Sequence, residues 1–327
     1  MKDKIINEIK NASSILVAGH IGPDGDDVSS VVSLVMILEK IGKNVIGVID
    51  DEIPDYLKGF NLVDEKIRDF DCVKNNPSDL IIVVDASSPD RVGRVEELFE
   101  FRRTAVIDHH ATNTNFCNVN WVDSSYASTA QMVYEIGKSL DVNYDKEIAT
   151  INLLGIATDT GFFRYSNTGE KVFSACMELT KLGADIAEIS NKILENKPLE
   201  HLMLTKEYIN NMGFNNSKSI VYSFCRLSDI EKYGISPTNT PPFVGELRSL
   251  KGVEVAIMFN EAEENLFHVS LRSKKYADVS KIAFEMGGGG HPRASGFSLK
   301  TKNLNEEIKI IVQKIESLLW GEIICFT

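Results

Sequence analysis

The feature that most constrains the fold is a series of short apolar runs that close on acidic or imidazole residues and are separated by segments of helical spacing. Ile15-Leu16-Val17-Ala18 leads into a Gly19–Asp27 loop, Leu80–Val84 ends at Asp85, and Thr104–Ile107 ends at Asp108-His109-His110. Apolar runs of four or five residues without alternation read as strands buried on both faces. After the first, Val28, Val31, Val32, Val35, Met36, Leu38 and Ile41 recur at helical spacing, Gly42 closes the helix, and Asn44 to Ile49 reads as a further strand. This alternation predicts an α/β fold whose N-terminal part is a doubly wound, mainly parallel sheet. Helices are expected over about 128–140 and 146–158, the second running into Thr158-Asp159-Thr160-Gly161.

The pattern then changes. It is helical from about 170 to 212, with a break at Lys197-Pro198, and afterwards Ser219–Cys225, Val253–Phe259 and Phe267–Leu271 read as strands before an amphipathic helix over 303–319. A chain of 327 residues is long enough for two domains. We expect a catalytic domain over 1–190, a helical linker over 191–214 and a smaller α/β domain over 215–327, with a cleft between the two domains. Charge follows the same division: residues 1–214 hold 21 Lys+Arg and 34 Asp+Glu, whereas 215–327 hold 14 and 13. The acidic half is a poor surface for long nucleic acid, which needs many basic groups on phosphates. No apolar run is long enough to span a bilayer, and the first residues lack the apolar stretch of a signal peptide. Five scattered cysteines, none in a CxxC pair, argue against a disulfide framework or a thiolate zinc site. These points fit a cytoplasmic protein with no membrane partner. Val31, Val35 and Leu38 suit either a core or a homodimer partner.

Four clusters carry the chemistry: His20-x-x-x-Asp24-x-Asp26, Asp85, Asp108-His109-His110 and Asp159. Three of them follow strands expected to be parallel, and the carboxyl ends of such strands share one edge, where ligands bind. Singly, Asp24 or Asp26 reads as a helix cap, Asp85 as the start of a turn, and His109-His110 as a structural pair. All four at one edge are hard to explain that way. Crowded carboxylates repel one another, and divalent cations relieve the repulsion. Asp oxygen with His nitrogen and no thiolate suits Mn2+, Mg2+, Co2+ or Fe2+ better than zinc. The ligands outnumber what one ion needs, which points to two ions able to clamp a phosphoryl group.

In this combination and order the four clusters resemble the motifs of the DHH phosphoesterase family, and Gly287-Gly288-Gly289-Gly290-His291-Pro292-Arg293-Ala294-Ser295-Gly296 resembles the signature of its DHH-associated substrate domain. The resemblance covers nearly the whole chain and points to the stand-alone bacterial branch of oligoribonucleases that also act on pAp. It implies two Mn2+, with Mg2+ or Co2+ as alternatives. Asp26, Asp85, His109 and Asp159 would hold one ion, and His20, Asp24 and Asp85 the other, with Asp85 bridging. Asp108 would orient an imidazole, as a carboxylate behind a ligating histidine usually does. His110 would donate to the scissile phosphate, and the nucleophile would be a water activated by both metals. The implied substrates are short oligoribonucleotides, cut to mononucleotides, and pAp, converted to AMP. Relatives that hydrolyse pApA or cyclic di-AMP, and manganese pyrophosphatases, are the alternatives. One departure stands out: after Asp26 the family continues with small and apolar residues and then Gly-Ser, whereas this chain has Asp27-Val28-Ser29-Ser30.

The glycine run by itself reads as a flexible connector. It lacks the Gly-Lys-Ser/Thr ending of a P-loop. Backbone at Gly288, Gly289 and Gly290 can approach an anion closely, and His291 and Arg293 follow directly. With Arg272 of Arg272-Ser273-Lys274-Lys275 these residues are the expected grip on the substrate's far end, and Arg164 in Gly161-Phe162-Phe163-Arg164 is a further candidate beside Asp159. The bland readings are a solvated strand end for the basic run and a surface salt bridge for Arg164.

Overall fold

The computed structural model describes residues 1–325, with the backbone alone given for His291 and for residues 320–325. The chain divides into two compact units, Met1–Asn196 and a second that begins at Lys197.

The first unit runs α1 (Lys2–Asn11), β1 (Ser14–Ala18), α2 (Gly25–Lys40), β2 (Asn44–Val48), α3 (Asp55–Lys58), α4 (Asn61–Lys66), β3 (Ile67–Arg68), α5 (Phe70–Val73) and β4 (Leu80–Val84). A 3-10 segment (Pro89–Phe101) follows, then β5 (Arg103–Asp108), β6 (Val119–Val122), α6 (Thr129–Ser139), α7 (Lys146–Asp159), α8 (Glu170–Lys181) and α9 (Ile186–Leu194). The six strands form one sheet in the order β3-β2-β1-β4-β5-β6, and every pair is parallel. The order reverses between β1 and β4, so their carboxyl ends flank the crevice where open α/β sheets bind ligands. All five residues of β4 are buried, which explains why its sequence is a continuous apolar run.

Helix α2 follows β1 and is buried along its length from Gly25 to Leu38. Val31, Val35 and Leu38 are at most 1% exposed and belong to the core, so they are not a face for a partner. Burying each such side chain stabilises the fold by about 1.5–3 kcal/mol. Helix α7 packs closely on α2 because Gly155 has no side chain. A Cβ at that position would lie 3.0 Å from both the Cβ of Ser29 and the Oδ1 of Asp26. The close approach that a glycine at position 29 would allow is thus supplied by a glycine on the opposing helix.

The second unit contains α10 (Leu199–Asn210), β7 (Gly213–Phe214), β8 (Ile220–Cys225), α11 (Leu227–Lys232), α12 (Val244–Ser249), β9 (Val255–Glu263), β10 (Leu266–Ser273), α13 (Val279–Glu285), β11 (Gly289–His291), β12 (Ala294–Lys300) and α14 (Leu304–Cys325). Its sheet has the order β11-β12-β10-β9-β8-β7, with β8 and β9 parallel and the other pairs antiparallel. The glycine run is not a loose connector. It enters edge strand β11, which pairs with β12 through Gly289–Gly296, Gly290–Ser295 and His291–Ala294. A side chain at Gly288 would collide with the carbonyl oxygen of Gly296, and Gly290 has a φ of +130°, so both positions need glycine. No helix among the described residues is long and apolar enough to cross a membrane.

Candidate metal centre

The four clusters meet at the carboxyl edge of the first sheet. His20 leaves β1, Asp24 and Asp26 open α2, Asp85 follows β4, Asp108 ends β5 with His109 and His110 next, and Asp159 is the last residue of α7. Nε2 of His109 lies 3.8 Å from Oδ2 of Asp26, 3.5 Å from Oδ1 of Asp85 and 3.7 Å from Oδ2 of Asp159. Nε2 of His20 is 3.7 Å from Oδ2 of Asp85. These separations are too long for hydrogen bonds. They are close to the spacing of ligands that share a cation at about 2.0–2.2 Å each. His20, Asp24 and Asp85 form one group able to hold an ion, Asp26, His109 and Asp159 another, and Asp85, His109 and His110 a third. Asp85 belongs to two of the three, with its two oxygens turned to different histidines.

Local structure sets these positions. Asp85 has a φ of +58°, a left-handed conformation that costs about 1–3 kcal/mol and that neighbouring structure must hold. Its N–H donates to the carbonyl of Ile107 at 3.0 Å, tying β4's end to β5. Asp24 is the N-cap of α2: its Oδ1 accepts from the N–H groups of Asp26 and Asp27 at 3.0 and 3.1 Å, and Oδ2 lies outside the cap. Nδ1 of His20 lies 3.0 Å from the carbonyl of Ile21, which turns Nε2 toward Asp85. Beginning two residues after Asp159, Gly161, Phe162 and Phe163 all have positive φ, a left-handed turn rare for aromatic residues.

The electrostatics suit a cation. Burial pushes the Asp26 carboxyl well above the ordinary range, and the charges of Asp85, Asp159 and Asp24 push it further. Asp85 is raised well above that range by burial and by Asp24, Asp108 and Asp27, against the pull of His110. Desolvation opposes the charge of Asp24, yet His20, His110 and the two cap N–H groups hold it below the usual value. Asp26 and Asp85 are buried carboxylates that resist ionising together, the kind of donor a divalent ion relieves.

Asp108 and His110 form a separate pair. Asp108 is fully buried; its Oδ1 lies 2.7 Å from Nδ1 of His110, and its Oδ2 accepts from Nδ2 of Asn113 at 2.6 Å. The imidazole whose Nδ1 meets Asp108 is that of His110. Burial disfavours the imidazolium of His110, but Asp108, Asp85 and Asp159 outweigh it and raise the ring to about 9. Asp108 is held below the usual carboxylate range, burial being outweighed by its bonds with His110 and Asn113.

Of the other candidates, Arg164 is exposed, and its Nε donates to the carbonyl of Gly161 at 2.7 Å, bracing the left-handed turn. In the second unit, Arg272 pairs with Ala294 across β10 and β12, which brings it beside Arg293. Nη1 of Arg293 donates to the carbonyl of Ala277 at 2.6 Å, and the Ser273 N–H bonds the Arg293 carbonyl, so Arg293 braces its hairpin with part of its guanidinium. Buried Glu254 holds the adjoining loop, one oxygen accepting from the N–H groups of Lys275, Tyr276 and Ala277 at 3.0, 2.7 and 3.0 Å. Gly289 and His291 lie in β11, and the side chain of His291 is outside the described residues.

The sequence reading missed several contributors. Arg91, in the segment after β4, has Nη2 3.2 Å from Nδ1 of His20. Its carbonyl accepts the N–H of Ile21 at 2.7 Å. Thr129 and Ala130 at the start of α6 contact Asp26 and Asp85. The available signal was Ser128-Thr129 ahead of an apolar helical pattern, which reads only as a cap.

Comparison with known proteins gives two family matches. Residues 14–156 match the DHH family N-terminal domain, and residues 217–319 match the DHHA1 domain. The chain is 31% identical over 321 residues to a bifunctional oligoribonuclease and PAP phosphatase NrnA of Thermus thermophilus, covering 97% of this chain and 94% of that protein. It is 28% identical to the Bacillus subtilis protein of the same name, covering 91% and 93%. Among solved structures, an exopolyphosphatase-related protein from Bacteroides fragilis has the same fold, with a TM-score of 0.88 at 24% identity over 97% of this chain and 95% of that one.

Proposed function

The chain belongs to the DHH family and carries its DHHA1 domain, so it is a hydrolase of phosphoester bonds, and within that activity we propose that it cuts very short oligoribonucleotides to mononucleotides and converts pAp to AMP with the help of divalent cations, Mn2+ first among them. The relatives named as oligoribonuclease and PAP phosphatase support the substrate class. The observation that carries the cation reading is the packing of Asp26, Asp85 and Asp159 around His109 at 3.5–3.8 Å. Asp26, Asp85, His109 and Asp159 would hold one ion, and His20, Asp24 and Asp85 the other. When bound, such cations supply the positive charge that neutralises these carboxylates, lowers the pKa of a water toward about 7 and polarises a phosphoryl oxygen.

The chain's own groups do the rest. His110, held at Nδ1 by Asp108, is placed to donate a hydrogen bond to a non-bridging phosphate oxygen and stabilise charge that builds there. Asp108 fixes the ring's orientation by holding Nδ1, so that Nε2 is the donor toward substrate. The acidic first half repels a long polyanion, which favours substrates of one or two nucleotides. Arg272, Arg293 and the backbone of Gly289 offer a local grip on a terminal phosphate.

The test is a turnover panel in Mn2+: pAp, di- to pentaribonucleotides, a twenty-nucleotide strand, pApA, cyclic di-AMP and pyrophosphate. We expect dinucleotides and pAp to give the highest kcat/KM. A clear preference for pyrophosphate, cyclic di-AMP or the twenty-nucleotide strand overturns the substrate assignment.

A further inference from the structure

Helix α6 is not part of any His/Asp cluster, yet its first turn touches two of them. Its N-cap, Ser128, accepts from the N–H of Gln131 at 3.1 Å. The N–H groups of Thr129 and Ala130 are left over, as the first N–H groups of any helix are. They donate instead to the two oxygens of Asp26, Thr129 to Oδ2 at 2.7 Å and Ala130 to Oδ1 at 2.9 Å. The hydroxyl of Thr129 donates to Oδ1 of Asp85 at 2.8 Å. Thr129 and Ala130 are fully buried, and Asp26 and Asp85 are 1% and 3% exposed. One helix start therefore holds carboxylates from two different elements, Asp26 in α2 and Asp85 directly after β4.

We infer that Thr129 is a positioning residue of the metal centre, acting by fixing the rotation of the Asp85 carboxylate. The inference rests on the cation reading above. An Asp carboxylate turns about a soft, broad torsion, so nothing in its own covalent structure decides which oxygen faces which neighbour. The hydroxyl decides it here. Carboxylate oxygens only accept, so the Thr129 proton goes to Oδ1. That oxygen stays on the side of His109, 3.5 Å from Nε2, and Oδ2 is presented to Nε2 of His20 at 3.7 Å. A carboxylate that serves both imidazoles at once must hold this rotation.

The helix start is itself held in place. Nδ2 of Asn152 on α7 donates to the carbonyl of Ala130 at 3.2 Å and to Oγ of Ser33 on α2 at 3.0 Å. Nδ2 of Asn167 donates to the carbonyls of Ala127 and Asp159 at 3.1 and 3.2 Å, linking the lead into α6 with a third carboxylate's backbone. Thr129 thus acts from a braced position.

Thr129→Val tests this, because it keeps the shape and both backbone N–H bonds and removes only the hydroxyl. Thr129→Ser restores the hydroxyl, and Thr129→Ala is the second variant should valine not fold. The readout is Mn2+ binding to the metal-free protein by isothermal titration calorimetry, with turnover measured in parallel. We expect Thr129→Val and Thr129→Ala to weaken Mn2+ binding by about ten- to a hundredfold, the usual loss for a group behind a ligand, and Thr129→Ser to stay within about threefold of wild type. Unchanged Mn2+ affinity in Thr129→Val, or a loss that Thr129→Ser fails to rescue, overturns the inference while leaving the cation reading intact. A wild-type protein that takes up no Mn2+ overturns both.

Discussion

Asp27 stands where the family carries a small or apolar residue, and its surroundings make a quantitative prediction about metal-free protein. The side chain is fully buried; Oδ1 accepts the His20 N–H at 3.0 Å, and Oδ2 has no partner among the described residues. Burial raises its carboxyl from 3.8 to about 7, against the pull of His20. A group raised in the folded state contributes stability that is intact below the unfolded value and is lost as pH rises through the folded value. Asp27 therefore costs the folded state about 4 kcal/mol at pH 8 relative to pH 3.5. Asp27→Asn abolishes the titration and keeps the oxygen that accepts from His20, but buries an amide N–H pair without a partner, at about 1–3 kcal/mol. The substitution should destabilise by about 1–3 kcal/mol below pH 4 and stabilise by about 1–3 kcal/mol at pH 8, with the curves crossing between pH 4 and 7. Equilibrium urea unfolding in chelator at several pH values, read by a brief deuterium pulse on the peptide covering 28–38, reports on this unit alone. Parallel curves for the two proteins across that range would refute the reasoning.

Three further outcomes follow from the site. Asp85→Ala should lower kcat by at least about 10³ on dinucleotides and pAp, since it removes a carboxylate common to two groups; a folded variant with near-normal turnover contradicts its role. His110→Ala should lower kcat by about 10²-fold, the scale of one positioned proton donor, while metal content by elemental analysis stays at the wild-type level; loss of one metal per chain shows that the ring is a ligand instead. Arg293→Ala should reduce kcat/KM on dinucleotides and pAp by about ten- to a hundredfold and barely change hydrolysis of bis-p-nitrophenyl phosphate. Equal losses on both kinds of substrate, with the fold checked by circular dichroism because Arg293 also bonds Ala277, count against a grip on the nucleotide end.

Much of the first sheet was legible because strands buried on both faces leave unbroken apolar runs, as in Leu80–Val84, and because their ends carry Asp and His side chains whose chemistry is visible in the letters. Other parts were hidden for identifiable reasons. Helix α2 is buried on all sides from Gly25 to Leu38, including its polar stripe of Asp26, Ser29, Ser30 and Ser33, so that stripe marks no outer face and Val31, Val35 and Leu38 could not be assigned. Strand β6 has four residues at a sheet edge, too few to stand out. The Gly287–Gly290 run hides a hairpin edge, since its pairing is specified by the close approach of Gly296 and Ser295 rather than by side chains of its own. The grip of α6 on Asp26 works through backbone N–H groups, which every residue except proline possesses, so no residue type announces it.

The order of the candidate ligands along the chain also bears on how the protein is made. His20, Asp24 and Asp85 are all present once 85 residues have been synthesised, whereas the group of Asp26 and His109 waits for Asp159. At about 5–20 residues per second, roughly 4–15 seconds separate the two events on the ribosome. Strand β1 lies between β2 and β4, so the strands that carry the earlier group are made first, but Asp85 also needs Ile107 on β5 and Thr129 on α6 to hold it, and the later group needs the first turn of α6 and the end of α7. The nascent chain thus holds the residues of the first group well before Asp159 is made, and their final arrangement waits for β5 and α6 to close on Asp85.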